Sequence, residues 1–238
     1  MTTLSRYAKQ ITAAGCFALV SSATFAADLE VTVQNLTAGT YFTPLLVVAH
    51  TPDASLFEVG EIASPEIQAM AEGGNLDGLA TIGASINANA IVNPAGGLLG
   101  PTASTTASFS NDDGNTVLSI VAMVLPTNDG FVGLDNWQIP SEAGTYTIYL
   151  NAYDAGTEAN DELRGSGAPG SPGMPVPPPL DPILGTGGSG VSSAITNDKV
   201  HIHPGNIGDD SVDSGTSDTV NTIHRWLNPV AKVTITIS

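Results

Sequence analysis

Two acidic turns hold the residues best suited to bind a metal ion. Asp129 lies in the turn formed by residues 127–130, directly after a strongly apolar predicted strand, and Asp154 follows a second predicted strand, four residues before Glu158. Calcium takes six to eight oxygen ligands from carboxylates, backbone carbonyls and water, which loops at a sheet end can supply. If the two strands are neighbours, both turns lie at one end of the sheet. The alternative is that these acids only stabilise β-turns.

Histidines form a second candidate site. His50 ends an apolar segment, while His201 and His203 alternate along an extended segment, so that their imidazoles would share one face. Three neutral imidazoles on two strands would suit copper or zinc. The alternative is that His201 and His203 are ordinary surface residues of a strand.

The charge balance favours a cation as partner and argues against nucleic acid. The 238 residues include 6 Lys and Arg against 23 Asp and Glu, a formal net charge of −17. A polyanion would be repelled, because its binding requires Lys and Arg to neutralise phosphates. With 42% hydrophobic and 12% charged residues, the chain has enough apolar sequence to build a core and is not expected to be disordered.

The N-terminal 26 residues have the pattern of a secretory signal peptide. Arg6 and Lys9 precede an apolar stretch, and small residues lead to a predicted cleavage site after Ala26. The alternative is a buried N-terminal helix. Cleavage would remove the only cysteine and leave four basic residues against 23 acids, a charge of 4 − 23 = −19. An exported protein without thiols must hold any metal through oxygen or imidazole.

The elements that would position these residues are mainly strands. Period-two alternation and β-branched residues predict strands, and Ser64 followed by Pro65 predicts the start of one short helix. The predicted strands cover residues 29–34, 45–50, 102–110, 117–125, 145–153 and 230–237. Short strands with long Gly-rich and Pro-rich connections predict an all-β fold, an antiparallel β-sandwich. No later apolar run is long enough to cross a bilayer.

Residues 165–190 are rich in Pro and Gly and are predicted to form a long exposed loop. An interdomain linker is the alternative, but residues 191–238 contain little more than two strands' worth of apolar sequence. We therefore predict a single domain over residues 27–238.

Four segments together resemble the spondin family, whose N-terminal domain occurs in animal matrix proteins and in stand-alone secreted bacterial proteins. The segments are TYFTPLLVVAH (40–50), LPTNDGFVGLD (125–135), YDAGTEANDE (153–162) and NPVAKVTITI (228–237). Their order and spacing match across nearly the whole mature chain. The resemblance implies a sandwich similar to calcium-dependent lipid-binding domains.

The resemblance also implies metal ligands. At the positions that match the family's calcium ligands, this chain has Asp129, Asp154 and Glu158, where Glu158 replaces an Asp. Some similar proteins of methane-oxidising bacteria bind copper at the cell surface through His and an oxidised Trp. That likeness implies copper at His50, His201 and His203 as an alternative, with Trp137 and Trp226 as the only tryptophans.

The expected function is that of an exported, non-enzymatic, calcium-binding spondin-domain protein. It would be periplasmic, at the cell surface or extracellular, and would interact with matrix or surface components. The sequence contains no GxSxG, Walker, HExxH or dinucleotide-binding motif. Two alternatives are a copper-binding surface or periplasmic protein and, less favoured, a hydrolase acting on an extracellular polymer.

Overall fold

A computed structural model describes residues 27–112 and 114–238. The predicted signal peptide, residues 1–26, lies outside the described residues. The strands are β1 (Ala27–Asn35), β2 (Tyr41–Phe42), β3 (Leu46–His50), β4 (Asn89–Val92), β5 (Ser104–Asn111), β6 (Val117–Leu125), β7 (Gly130–Gln138), β8 (Gly144–Asp154), β9 (Arg164–Gly165), β10 (Met174–Pro175), β11 (His201–Ile202) and β12 (Ala231–Ile237). The α-helices are α1 (Pro65–Gly73), α2 (Asp77–Ser85) and α3 (Asn221–His224).

Strand β8 belongs to both halves of an antiparallel β-sandwich. The strand order is β4-β3-β6-β7-β8-β12-β1-β5, with β11 paired to β8 and β2 paired to β6. Residues 144–150 of β8 pair with β12, whereas residues 151–154 pair with β7. The strand therefore passes from one layer to the other, and this confirms the predicted fold class.

The core between the layers explains the alternating strands. Leu29, Val31 and Val33 of β1 are buried against residues of β6 and β12, and the residues between them point outward. Strand β12 shows the same alternation. Each alternating strand thus has one face in the core and one in water, as antiparallel sheets allow.

A second apolar layer explains the strands that are apolar throughout. All residues of β3 and β6 are buried. Their outer face packs against α1, α2 and the segment around Leu180, where Met70 and Met123 are buried with them. Both faces of these strands are therefore covered, as predicted for residues 45–50.

The helical content exceeds the single predicted helix. Helix α1 begins as expected, because the Ser64 Oγ accepts a hydrogen bond from the Ile67 N–H at 3.2 Å. Helix α2 was missed because its sequence, DGLATIGAS, contains two glycines and two β-branched residues, which weaken helix propensity. Tertiary packing compensates, since Leu79 is buried beneath it.

The segment 165–190 is mostly loop, as its composition predicts, but parts of it are buried. Strand β10 pairs in parallel with β9, Met174 and Leu180 are fully buried, and Leu180 belongs to the outer apolar layer. The Arg164 guanidinium contacts the Asp181 carboxylate at 2.6 Å and ties the segment to its base. The segment is rich in Pro and Gly, but the buried side chains of Met174 and Leu180 hold it against the rest of the domain.

The sheet is nearly closed where its end strands β4 and β5 approach each other. The Asn89 side chain accepts a hydrogen bond from the Asp112 N–H at 2.9 Å and donates one to the Asp112 carboxylate at 2.8 Å. The Asn115 amide donates to the same Asn89 oxygen at 2.7 Å. Side-chain amides thus bridge the gap between the end strands.

Within the ranges 27–112 and 114–238, no helix combines the length and apolar character needed to span a bilayer.

Candidate functional site

The two predicted acidic turns lie at the same end of the sandwich. Asp129 ends the hairpin turn between β6 and β7, and Gly130 pairs with Asp154 at the end of β8. Strand β7, which was not predicted, lies between the two strands that carry the turns. It brings the acids together because its first residue is in register with the last residue of β8.

The Asp129 carboxylate is fully buried and only half satisfied. Its Oδ2 accepts hydrogen bonds from the N–H groups of Thr157 at 2.8 Å and Glu158 at 3.0 Å. Its Oδ1 has no hydrogen-bond partner. Asp129 thus anchors the loop after β8 through one oxygen and leaves the other unpaired.

Glu158 is the least satisfied acid of the site. Its side chain is buried, with 8% of the residue exposed, and neither carboxylate oxygen has a hydrogen-bond partner. Buried polar atoms without partners are rare, because their desolvation is not offset. Asp129 and Glu158 together present three such oxygens at one end of the sheet.

Asp154 is buried and well bonded, which fixes its orientation. Its Oδ1 accepts from the Gly156 N–H at 2.8 Å, and its Oδ2 accepts from the Asn160 amide at 2.6 Å. Gly156 has a φ of 72°, and a Cβ there would lie 2.6 Å from the backbone of Asp198. Only glycine therefore allows this loop to lie so close to its neighbour.

Burial shifts Asp129 and Glu158 toward their protonated forms. Burial, with a contribution from the charge of Asp154, raises the pKa of Asp129 to about 7. Burial also raises the pKa of Glu158 to about 8; the nearby Asn128 side chain opposes the shift, and the charges of Glu72 and Asp129 add to it. A positive charge placed here would favour the ionised forms.

The acids are not yet arranged around a common centre. In the described part of the chain, no group of three or more His, Cys, Asp or Glu side chains is placed to hold a metal ion. Metal binding by these acids would need at least one side chain to reorient. Glu158 is the side chain with no hydrogen bond to break in doing so.

The structure separates the three histidines of the predicted copper site. His50 pairs with Val117 at the start of β6, whereas His201 pairs with Asp154 near the far end of that sheet. The length of β6, nine residues at about 3.3 Å each, puts about 26 Å between its two ends. The structure therefore does not bring His50 together with His201 and His203, because the length of the strand keeps His50 apart.

Hydrogen bonds also determine which imidazole nitrogens are free. The Gly205 N–H donates to Nδ1 of His203 at 2.9 Å, so the proton of the neutral ring lies on the unpartnered Nε2. Nδ1 of His201 faces the Lys199 carbonyl at 2.8 Å, which assigns it the proton and leaves Nε2 as acceptor. Only His201 of this pair has a lone pair free for a metal.

The tryptophans lie in different places. The Trp226 ring packs against the His203 ring with centroids 5.0 Å apart, whereas the Trp137 ring packs on Tyr146 at 6.2 Å. Burial lowers the pKa of His203 to about 4. The His203 and Trp226 pair therefore forms an apolar, uncharged wall beside Asp154.

His50 has a structural role. Its Nε2 lies 2.8 Å from the Ser119 Oγ, and its Nδ1 lies 2.8 Å from the Thr51 carbonyl. A Ser and His at this distance can form a nucleophilic pair. Both residues are buried, however, so a substrate could not reach the hydroxyl.

Two residues that support the site were not predicted. The Asn128 Oδ1 accepts from the Glu162 N–H at 3.1 Å, and its amide donates to Asp161 at 2.8 Å. The buried Glu162 carboxylate accepts from the Gly208 N–H and from the Ser217 hydroxyl. In the sequence, only their position in or beside the acidic turns pointed to these residues. Position alone does not show whether a residue binds the ion or holds another ligand in place.

Comparison with known proteins agrees with the fold. A family model described as Spondin_N matches residues 23–176, more than half of the chain and the part that contains Asp129, Asp154 and Glu158. A comparison with curated protein sequences gives no significant match. The chain belongs to the spondin N-terminal domain family.

Proposed function

We propose that this protein is an exported, non-enzymatic interaction module that binds Ca²⁺ through Asp129, Asp154 and Glu158. The observation that carries the proposal is the set of three buried carboxylate oxygens without hydrogen-bond partners, on Asp129 and Glu158. A divalent cation would satisfy these oxygens and offset the cost of their burial.

The donor chemistry supports calcium over a softer metal. Calcium prefers carboxylate and carbonyl oxygens and tolerates irregular geometry, whereas copper and zinc favour imidazole and thiolate. The acids supply oxygens, and only one nearby imidazole, that of His201, has a free lone pair. Glu158 is longer than the family's Asp, and a rotation of its side chain would bring its oxygens toward the other two acids.

The family and the charge support an extracellular role. Spondin domains occur in extracellular proteins, and the N-terminal segment has the pattern of a secretory signal. Calcium would be abundant outside the cell, where it would rigidify the loops at one end of the sandwich. A rigid, ion-stabilised end is suited to contact matrix or surface components, the partner class that we propose.

Thermal unfolding of the mature protein, residues 27–238, with calcium and with a chelator tests the proposal. Calcium at 100 times its Kd should stabilise the fold by about 2.7 kcal/mol. For a protein of this size, that corresponds to a rise in Tm of roughly 5–10 °C.

Matched variants distinguish the loss of a calcium ligand from the loss of a negative charge elsewhere on the protein. Glu158→Gln and Asp154→Asn should remove most of the calcium response. Glu30→Gln, an exposed acid on β1, removes the same charge elsewhere and should keep the response. A full response in Asp154→Asn and Glu158→Gln, or none in the wild type, would contradict the proposal.

A further inference from the structure

A groove opens beside the candidate calcium site. It encloses about 770 Å³, and Asp154, Glu158 and His201 lie along it with Arg225 and Trp226. Glu158, whose buried carboxylate has no hydrogen-bond partner, is therefore one of the residues at the boundary of a cavity large enough for several residues of a peptide.

Arg225 is an unusual residue for this position. It is exposed and lines the same groove as Asp154 and Glu158. Yet it makes no ion pair within 4 Å with any acid among residues 27–112 and 114–238. The mature sequence has only four Lys and Arg against 23 acids. An unpaired guanidinium in so acidic a protein is available to an anionic partner.

The rim of the groove is apolar. Ile195, Ile207 and Leu227 line it and are 46%, 56% and 82% exposed. Scattered exposed aliphatic residues need no explanation, but three around one cavity form a surface for apolar contact. Trp226, which is 7% exposed, lies among these residues and packs against the His203 ring.

Three carboxylates alone would leave the coordination of the proposed ion incomplete. Three carboxylates, two of them already hydrogen-bonded to the loop after β8, supply fewer than the six to eight oxygens that calcium takes. Asp154 and Glu158 line the groove, so a partner bound there would lie beside the remaining coordination positions. A partner's carboxylate could fill them.

We propose that this groove docks an extended peptide segment of a partner protein, with an Asp or Glu side chain shared between the bound ion and Arg225. Aliphatic neighbours of that acid would pack on Ile195, Ile207 and Leu227. The inference rests on the proposed calcium site. An anionic membrane fits less well, because the site is concave.

A displayed library of random heptapeptides provides the probe. The library is bound to the immobilised mature protein in calcium and released with a chelator. We expect the released pool to be enriched in Asp and Glu beside Leu, Ile or Val. The best peptide and its Gln-substituted counterpart are then compared by fluorescence polarisation, and only the acidic peptide should bind in calcium.

Variants of the groove test the assigned contacts. Arg225→Gln should weaken binding of the acidic peptide roughly tenfold or more, the usual effect of losing a charge-assisted hydrogen bond. Leu227→Ser should weaken it by about threefold to tenfold through lost apolar contact. Lys232→Gln removes an equal charge from β12, outside the groove, and should leave affinity within about twofold.

The outcomes distinguish this inference from the calcium site. If calcium raises Tm but the released pool shows no acidic enrichment, the inference is wrong and the calcium site stands. Binding that persists in chelator, or that is equal in Arg225→Gln and Lys232→Gln, also overturns it. Calcium-dependent binding to phosphatidylserine vesicles without peptide enrichment would assign the groove to lipid instead. If calcium does not change Tm, the calcium site and the inference both fail.

Discussion

Calcium binding at this end of the sandwich should release protons. Burial raises the pKa of Asp129 to about 7 and that of Glu158 to about 8, so both acids hold protons at mildly acidic pH in the calcium-free protein. Calcium binds the ionised carboxylates, and each proton present must leave when the ion enters. The number of protons released therefore shows whether burial keeps the two acids protonated in the calcium-free protein.

The two pKa values set the size of the effect. Release should approach two protons per ion near pH 6 and fall toward zero by about pH 9. The sign follows from competition: protons occupy the site at low pH, so affinity rises with pH. Between pH 6 and pH 8 the gain in affinity should be on the order of 100-fold or more, which makes the effect easy to detect.

Isothermal titration calorimetry measures this release. Titrations at one pH in two buffers of different ionisation enthalpy give the number of protons from the difference in apparent heat. Glu158→Gln removes one of the two titrating acids, so at calcium concentrations high enough to saturate its weakened site the release at pH 6 should fall by about one proton. Glu30→Gln, on the exposed face of β1, should release as many protons as the wild type.

A release near zero at pH 6, with calcium bound, would refute the reasoning. It would mean that Asp129 and Glu158 are already ionised in the calcium-free protein, and that burial does not control the site. An unchanged release in Glu158→Gln would place the titrating groups elsewhere.

Three further predictions concern the fold around the site. Burial lowers the pKa of His203 to about 4 from about 6.5, so its contribution to stability, full above pH 6.5, is lost as pH falls toward 4. As pH falls from about 6.5 to about 4, the free energy of unfolding of the wild type should therefore fall by up to about 3 kcal/mol more than that of His203→Gln, measured by urea unfolding; parallel pH profiles would contradict this. Leu180→Ala should cost about 2–5 kcal/mol in the same assay, because Leu180 anchors the 165–190 segment; a loss under about 1 kcal/mol would mean that the segment is not held by this contact. Gly156→Ala should abolish the calcium-dependent rise in Tm, since its φ of 72° and the 2.6 Å approach of a neighbouring backbone exclude a side chain; an intact rise would show that the loop can shift freely.

Strand periodicity predicted much of the fold, and its failures have physical causes. Strands β1, β8 and β12 alternate because one face is in the core, and β6 is apolar throughout because both faces are covered. Strand β7 was missed because its sequence, GFVGLDNWQ, contains two glycines and no regular alternation. Its stability comes from pairing on both sides, which a single segment of sequence does not reveal.

The acidic part of the site could be predicted, and the rest could not. Asp129 and Asp154 follow strands, and turns after strands gather at the ends of a sheet. His50 also ends a strand, but nothing local indicates at which end of the sandwich that strand stops. The groove depends on segments 191–207 and 225–227, which have no periodicity and are placed by long-range contacts.

The contact between β4 and β5 has a consequence for behaviour at high concentration. A free strand edge exposes unpaired N–H and C=O groups that can pair with another molecule and begin aggregation. Here the two strands that would form those edges face each other, and Asn89, Asp112 and Asn115 occupy the gap with their side-chain amides and carboxylate. Together with the acidic surface, this arrangement should let the protein reach high local concentrations without edge-to-edge association.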